Sequence, residues 1–186
     1  VLTEKFGKNW STALLLHDNF QTKNNVDYND DGFRDMTTGN LFTAVNRWNY
    51  NGGKGFESQL GFKILNDDLT GGQTSFDPDK DKFTTRSYGL GINTRRYEVF
   101  AKAGYVFPGK KYKSIGLQLS AFDHKQDSYF GMTSYKGRQK NFYANLIYQS
   151  IIRTTIHKFR TGLSFVYDKY DEDFKLNNYR RTELVP

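Results

Sequence analysis

The stretch Asp27-Tyr28-Asn29-Asp30-Asp31-Gly32-Phe33-Arg34-Asp35 sets oxygen-bearing side chains at alternate positions. Asp27, Asn29, Asp31, Gly32 and Asp35 fit positions 1, 3, 5, 6 and 9 of a calcium loop of the EF-hand kind. Hard oxygens there converge on Ca²⁺ while the glycine permits the bend. The twelfth position holds Thr38 instead of a bidentate Glu, so a full EF-hand is not expected. The same residues also form plain Asn/Asp/Gly turns without any metal. A second acidic stretch carries Asp77, Asp79 and Asp81, with Lys80 and Lys82 between them, which favours a solvated loop.

Aromatic and basic residues gather at Tyr129, Phe130 and Tyr135, beside Lys136, Arg138 and Lys140. At a loop tip Tyr129, Phe130, Tyr135 and Arg138 could meet an anionic or ring-bearing ligand, with loop–loop packing as the alternative. The three histidines, His17, His124 and His157, show no metal-ligand spacing. No Ser stands in a G-x-S-x-G setting, and Gly89-Leu90-Gly91 matches only a fragment of a nucleotide-binding motif. The expectation is that the chain is not an enzyme.

Those residues need a scaffold, and composition narrows it. The 186 residues suit one domain or part of a larger one. Tyr, Phe and Trp number 13, 16 and 2, a load that speaks against disorder. Cysteine is absent, which excludes disulfides, thiol catalysis and Cys-rich zinc sites. Lys and Arg number 27 against 20 Asp and Glu, a net charge of +7, but they are scattered rather than gathered into a stripe. A nucleic-acid partner is therefore not expected. No apolar run is long enough for a transmembrane helix, and the chain opens at Val1 without the n- and h-regions of a signal peptide.

Period-two alternation predicts about seven long strands. They lie around Trp10–His17, Leu41–Tyr50, Phe56–Ile64, Glu98–Phe107, Ile115–Phe122, Phe142–Gln149 and His157–Asp168. One face of each is apolar, with aromatics towards its ends, and the other is mostly polar. Short turns are expected at 51–55, 108–111 and 153–155, and long loops at 20–38, 66–92, 124–138 and 170–186. An up-and-down antiparallel meander puts every second connection at the same end, so short turns and long loops segregate, as in outer-membrane barrels. An odd strand count leaves unpaired edges that lipid would not tolerate, so either a strand is hidden, for instance in 79–95, or the chain is an arc of something larger. A soluble β-sandwich or small barrel binding carbohydrate or lipid at the cell surface is the alternative.

Segments along nearly the whole chain resemble the barrel of TonB-dependent outer-membrane receptors, of the Bacteroidetes-type vitamin and siderophore branch. They are Ser11–His17 (STALLLH), Val26–Met36, Asn46–Tyr50 (NRWNY), Asp67–Gln73, Arg96–Pro108 and Ser114–Ser120 (SIGLQLS), then Ser128–Gly131, Tyr143–Gln149, His157–Tyr170 and Arg181–Pro186 (RTELVP). The resemblance implies an all-β middle portion, residues 1–186, of a 22-stranded transmembrane barrel. It also implies active uptake of a scarce nutrient, such as siderophore-bound iron or cobalamin, in the bacterial outer membrane. The implied partners are that nutrient, outer-membrane lipid or lipopolysaccharide, and TonB, reached through an N-terminal part. Neither a plug domain nor a TonB box is among these residues. Calcium is the one cofactor the residues suggest.

Overall fold

The links at 7–9, 52–55, 107–113, 131–132 and 153 are too short for a crossover, so the strands they join must run antiparallel. The computed structural model of the chain describes residues 1–22, 26–174 and 177–185, the side chains of 155 and 177–185 apart. Nine strands form one sheet in sequence order, which bears out the all-β antiparallel meander. They are β1 (Leu2–Phe6), β2 (Trp10–Gln21), β3 (Thr38–Asn51), β4 (Phe56–Gly72), β5 (Gly89–Val106), β6 (Ser114–Phe130), β7 (Thr133–Ile152), β8 (Thr154–Phe174) and β9 (Asn177–Val185). A single short helix, α1 (Pro78–Asp81), interrupts the β4–β5 connection.

The expectation of about seven strands falls short because β1 is five residues long and because β9 lies where a loop was expected. No separate strand lies in 79–95; that span holds part of α1 and the start of β5. Nor is 124–138 a long loop, for β6 runs to Phe130 and β7 begins at Thr133. The loop expected to start at 170 is likewise strand as far as Phe174. The cause is chemical. In the run Asp123-His124-Lys125-Gln126-Asp127 both faces are polar, so the hydrophobic alternation that reveals a strand vanishes while the hydrogen-bond ladder continues. Segregation of the connections survives in part: residues 22–37 and 73–88 are long and lie at one end, whereas the other end has tight links at 7–9, 52–55, 107–113 and 153.

Register sorts the two faces. One carries Trp10, Tyr50, Phe56, Tyr105, Leu117, Leu146 and Leu163, and these apolar side chains are uncovered: Leu117 is 38%, Leu146 42% and Leu163 78% exposed. On this face the largely apolar band, interrupted by Asn46, Ser58 and Thr161, is five positions tall on β3 (Phe42 to Tyr50), β4 (Phe56 to Ile64), β5 (Tyr97 to Tyr105) and β8 (Phe159 to Tyr167). That is about 26 Å along a strand. Aromatics bound it on both sides. Along the lower edge the rings nearly touch, with Trp10–Tyr50 at 4.8 Å, Tyr50–Phe56 at 6.0 Å and Tyr148–Phe159 at 6.0 Å between centroids. Phe42, Tyr97, Phe142 and Tyr167 form the upper edge.

Both edges drift together. From β3 to β8 the lower edge drops two positions, from the row of Tyr50 and Leu163 to Phe159. The upper edge drops two as well, from the row of Phe42 and Asp171 to Tyr167. The band is thus parallel-sided and inclined to the strands by about 30° from perpendicular, given the spacings of a sheet. The opposite face is polar and carries Gln59, Lys102, Gln118 and Asn145. A hollow of about 630 Å³ on that side reaches from Ser11 on β2 to Ile147 on β7.

Candidate functional site

The upper parts of β5–β8, beyond the apolar band, bring polar groups together on the polar face. Gln139 donates through Nε2 to Asp168 Oδ1 at 3.0 Å and to Tyr170 Oη at 2.7 Å, and Asn141 Nδ2 donates to the same Asp168 oxygen at 2.9 Å. Tyr135 Oη donates to Glu172 Oε1 at 2.9 Å. Arg96 forks onto Glu98 Oε2 and lies flat over Phe122, 3.7 Å from the ring centroid. Between these sits His124, whose imidazole is pushed below its ordinary value by burial and by Arg96 nearby. The result is a wall of donors, acceptors and ring faces, suited to holding a polar ligand.

Sequence reasoning found Tyr135 in this wall and missed Gln139, Asn141, Asp168, Tyr170 and Glu172. Their signal was present but weak: they continue, residue by second residue, the polar rows of Tyr143 and Asn145 on β7 and of Ser164 on β8.

The four expected ligand residues are not brought together. Tyr129 and Arg138 lie on the side of the apolar band, while Phe130 and Tyr135 lie on the polar face, because neighbours along a strand alternate sides. Tyr129 is buried, covering Gly91 and packed near Phe83 at 5.8 Å and Phe76 at 6.3 Å, with the Lys82 ammonium 4.5 Å over its ring. Burial, then the nearby Asp68, raise its hydroxyl above the ordinary value. Loop packing is therefore what Tyr129 does. Phe130 is exposed at the end of its strand. Arg138 grips Asp123 with two guanidinium nitrogens, and this hydrogen bonding holds the Asp123 carboxyl below its ordinary range.

The loop expected to suit calcium is a knot of its own hydrogen bonds. Asp27 accepts from the amides of Asp31 and Gly32 at 3.2 and 2.7 Å, Asp31 from Phe33 at 2.7 Å, and Asp35 from Tyr28 at 2.6 Å. Asn29 bridges to Asp31 through Nδ2 at 3.0 Å. The bend passes through Gly32 at φ 84°, a conformation open to glycine. Among the described residues no three acidic or imidazole side chains gather in a way that could hold a metal ion. The knot instead presents Arg34, which donates to the Phe76 carbonyl at 2.9 Å, and Phe33, whose ring lies 6.3 Å from Tyr88. The two long connections are thus tied into one cap.

In the second acidic stretch, Asp77 caps α1 by accepting from the Asp79 amide at 3.0 Å and pairs with Lys80 at 3.0 Å. The Lys80 contact, then the Asp79 amide, hold its carboxyl below the ordinary range. Buried Asp81 accepts from the Asp77 amide and pairs with Arg86 at 2.8 Å. These carboxylates fold the loop. No family model matches the chain, and neither a curated protein nor a solved structure matches it.

Proposed function

We propose that this chain is an arc of a transmembrane β-barrel belonging to a receptor that takes up a scarce nutrient across the bacterial outer membrane, with energy delivered through TonB. The uncovered apolar band carries this reading. Its height, about 23 Å once inclined by about 30°, is near the apolar belt of about 25 Å on outer-membrane barrels. Aromatic rows at both edges suit the two membrane–water interfaces. Polar side chains on the opposite face suit a wet or plugged interior. Left in water, the same band would forfeit about 25 cal/mol for every Å² of apolar surface exposed.

The strand edges of β1 and β9 demand further strands, since an open ladder has no water to satisfy it in hydrocarbon. This supports an arc of a barrel larger than nine strands, and the 22-stranded receptor size follows from the resemblance alone. So does the choice of a TonB-dependent receptor over other barrels. In this arrangement the tied cap of residues 26–36 and 73–88 forms an outer lip, and the Tyr135–Glu172 and Gln139–Asp168–Tyr170 wall faces the passing nutrient.

Fractionation and growth test the reading together. The full-length protein is expected to stay with outer membranes through a carbonate wash. Its loss is expected to slow growth when an iron chelate or cobalamin is limiting, as loss of TonB does. A protein released into the wash, or growth unaffected on every limiting nutrient, would contradict it.

A further inference from the structure

A hollow of about 150 Å³ opens on the polar face between His124 and Gln126 of β6, Tyr135 and Gln139 of β7, and Tyr170 and Glu172 of β8. Gly137 shapes it. This glycine lies opposite Glu172, and a Cβ there would come within 2.5 Å of the Tyr135 hydroxyl. The missing side chain is what lets the Tyr135 ring lean along its own strand and reach Glu172. Tyr170 stands two residues nearer the band than Glu172, about 7 Å along the strand, so a tyrosine borders the hollow at either end.

Most donors around this hollow are spent. Tyr135 gives its hydroxyl proton to Glu172 Oε1, and Gln139 gives both amide protons, to Asp168 and to Tyr170. What remains is mainly acceptors. Glu172 Oε2 and the side-chain carbonyl of Gln139 take no hydrogen bond from a described residue. The Tyr170 hydroxyl and the Gln126 amide can each turn either way. His124 Nδ1 is buried without a hydrogen-bond partner. Burial, then Arg96, hold that imidazole below its ordinary value, so it brings no cation to the hollow at pH 7.

Charge points the same way. No Lys or Arg pairs with Asp168 or Glu172 among the described residues. On this face Arg96 is taken by Glu98 at 3.0 Å. Arg138 borders the hollow, but its guanidinium is turned onto Asp123, on the side of the apolar band. Lys125, Lys136 and Lys169 belong to that side too, by the alternation of a strand.

We propose that this hollow binds the primary ammonium group of an amine-bearing ligand. The proposal rests on the uptake reading above and narrows it, since the nutrient passing this wall then carries a primary amine. An ammonium group has three donors and no acceptor, which complements a pocket left with a carboxylate and carbonyl oxygens. Aromatic rings at the two ends suit a cation as well. An anionic group would meet Glu172 with no cation to hold it.

A ligand-observed NMR titration of the full-length protein in detergent at pH 7 tests this, with n-butylammonium as the probe. n-Butanol lacks its charge, and tetramethylammonium lacks its N–H donors. n-Butylammonium is expected to bind at least about tenfold more tightly than either, the scale of hydrogen bonds to a charged acceptor. Glu172→Gln should weaken it about tenfold, and Tyr170→Leu about threefold. Asp127→Asn removes the same charge from the other face and should leave binding unchanged. Equal binding of the three probes, binding that survives Glu172→Gln and Tyr170→Leu, or an equal loss in Asp127→Asn would each overturn the proposal. The growth measurement above separates the two readings. Growth that depends on the protein and on TonB, without n-butylammonium binding, removes the amine site alone. Binding by a protein whose loss leaves growth unaffected removes the uptake reading and leaves the site.

Discussion

Tyr129 shows what single residues contribute here. Its ring fills the space over Gly91, where a Cβ would come within 2.3 Å of it, and Phe76 lies over Gly89 in the same way. The Gly89-Leu90-Gly91 fragment, which as a nucleotide motif is meaningless, marks a floor for two aromatic rings. Phe76 and Tyr129 are among the few buried apolar side chains of the described residues, so the cap depends on them. Tyr129→Ala is expected to cost the cap about 3 kcal/mol. Amide exchange at Thr74, Phe76 and Thr84, whose N–H groups bond within and between the two loops, should then quicken about a hundredfold while the strands are unchanged. Unaltered exchange there would show that the ring is not what seats the loop.

At the scale of elements, the lesson concerns where hydrophobic alternation fails. The segments around residues 56–64, 98–107, 115–122 and 142–149 were legible because one face is apolar and the other is not. Their extensions to Gly72, back to Gly89, to Phe130 and back to Thr133 are not legible, because there charged and polar residues break the alternation of apolar with polar positions while the backbone ladder continues. The polar wall hid for the same reason: Gln139, Asp168, Tyr170 and Glu172 look like loop residues until strand pairing aligns them. The acidic stretch is legible in the sequence as an oxygen-rich bend; that its carboxylates turn onto their own amides is a matter of conformation, not composition. Amides in 124–130 and 133–138 are accordingly expected to exchange as slowly as those in 115–121. Exchange at the rate of an open loop would remove the tall hairpin and the wall built on it.

Across the whole molecule, one sheet with an uncovered apolar band on one face and polar side chains on the other asks for different surroundings on its two sides. Absence of cysteine in this chain lets single cysteines report on each position without background from it. Labels at Leu117, Leu119, Leu146 and Leu163 in the full-length protein, held in membranes, are predicted to meet oxygen dissolved in the acyl chains and to resist a water-soluble maleimide. Labels at Gln59, Gln118 and Asn145 should behave in the opposite way, and the alternation should give way to water on both faces from Asp123 outward. Equal, rapid modification of Leu117 and Gln118 by the maleimide would contradict the account.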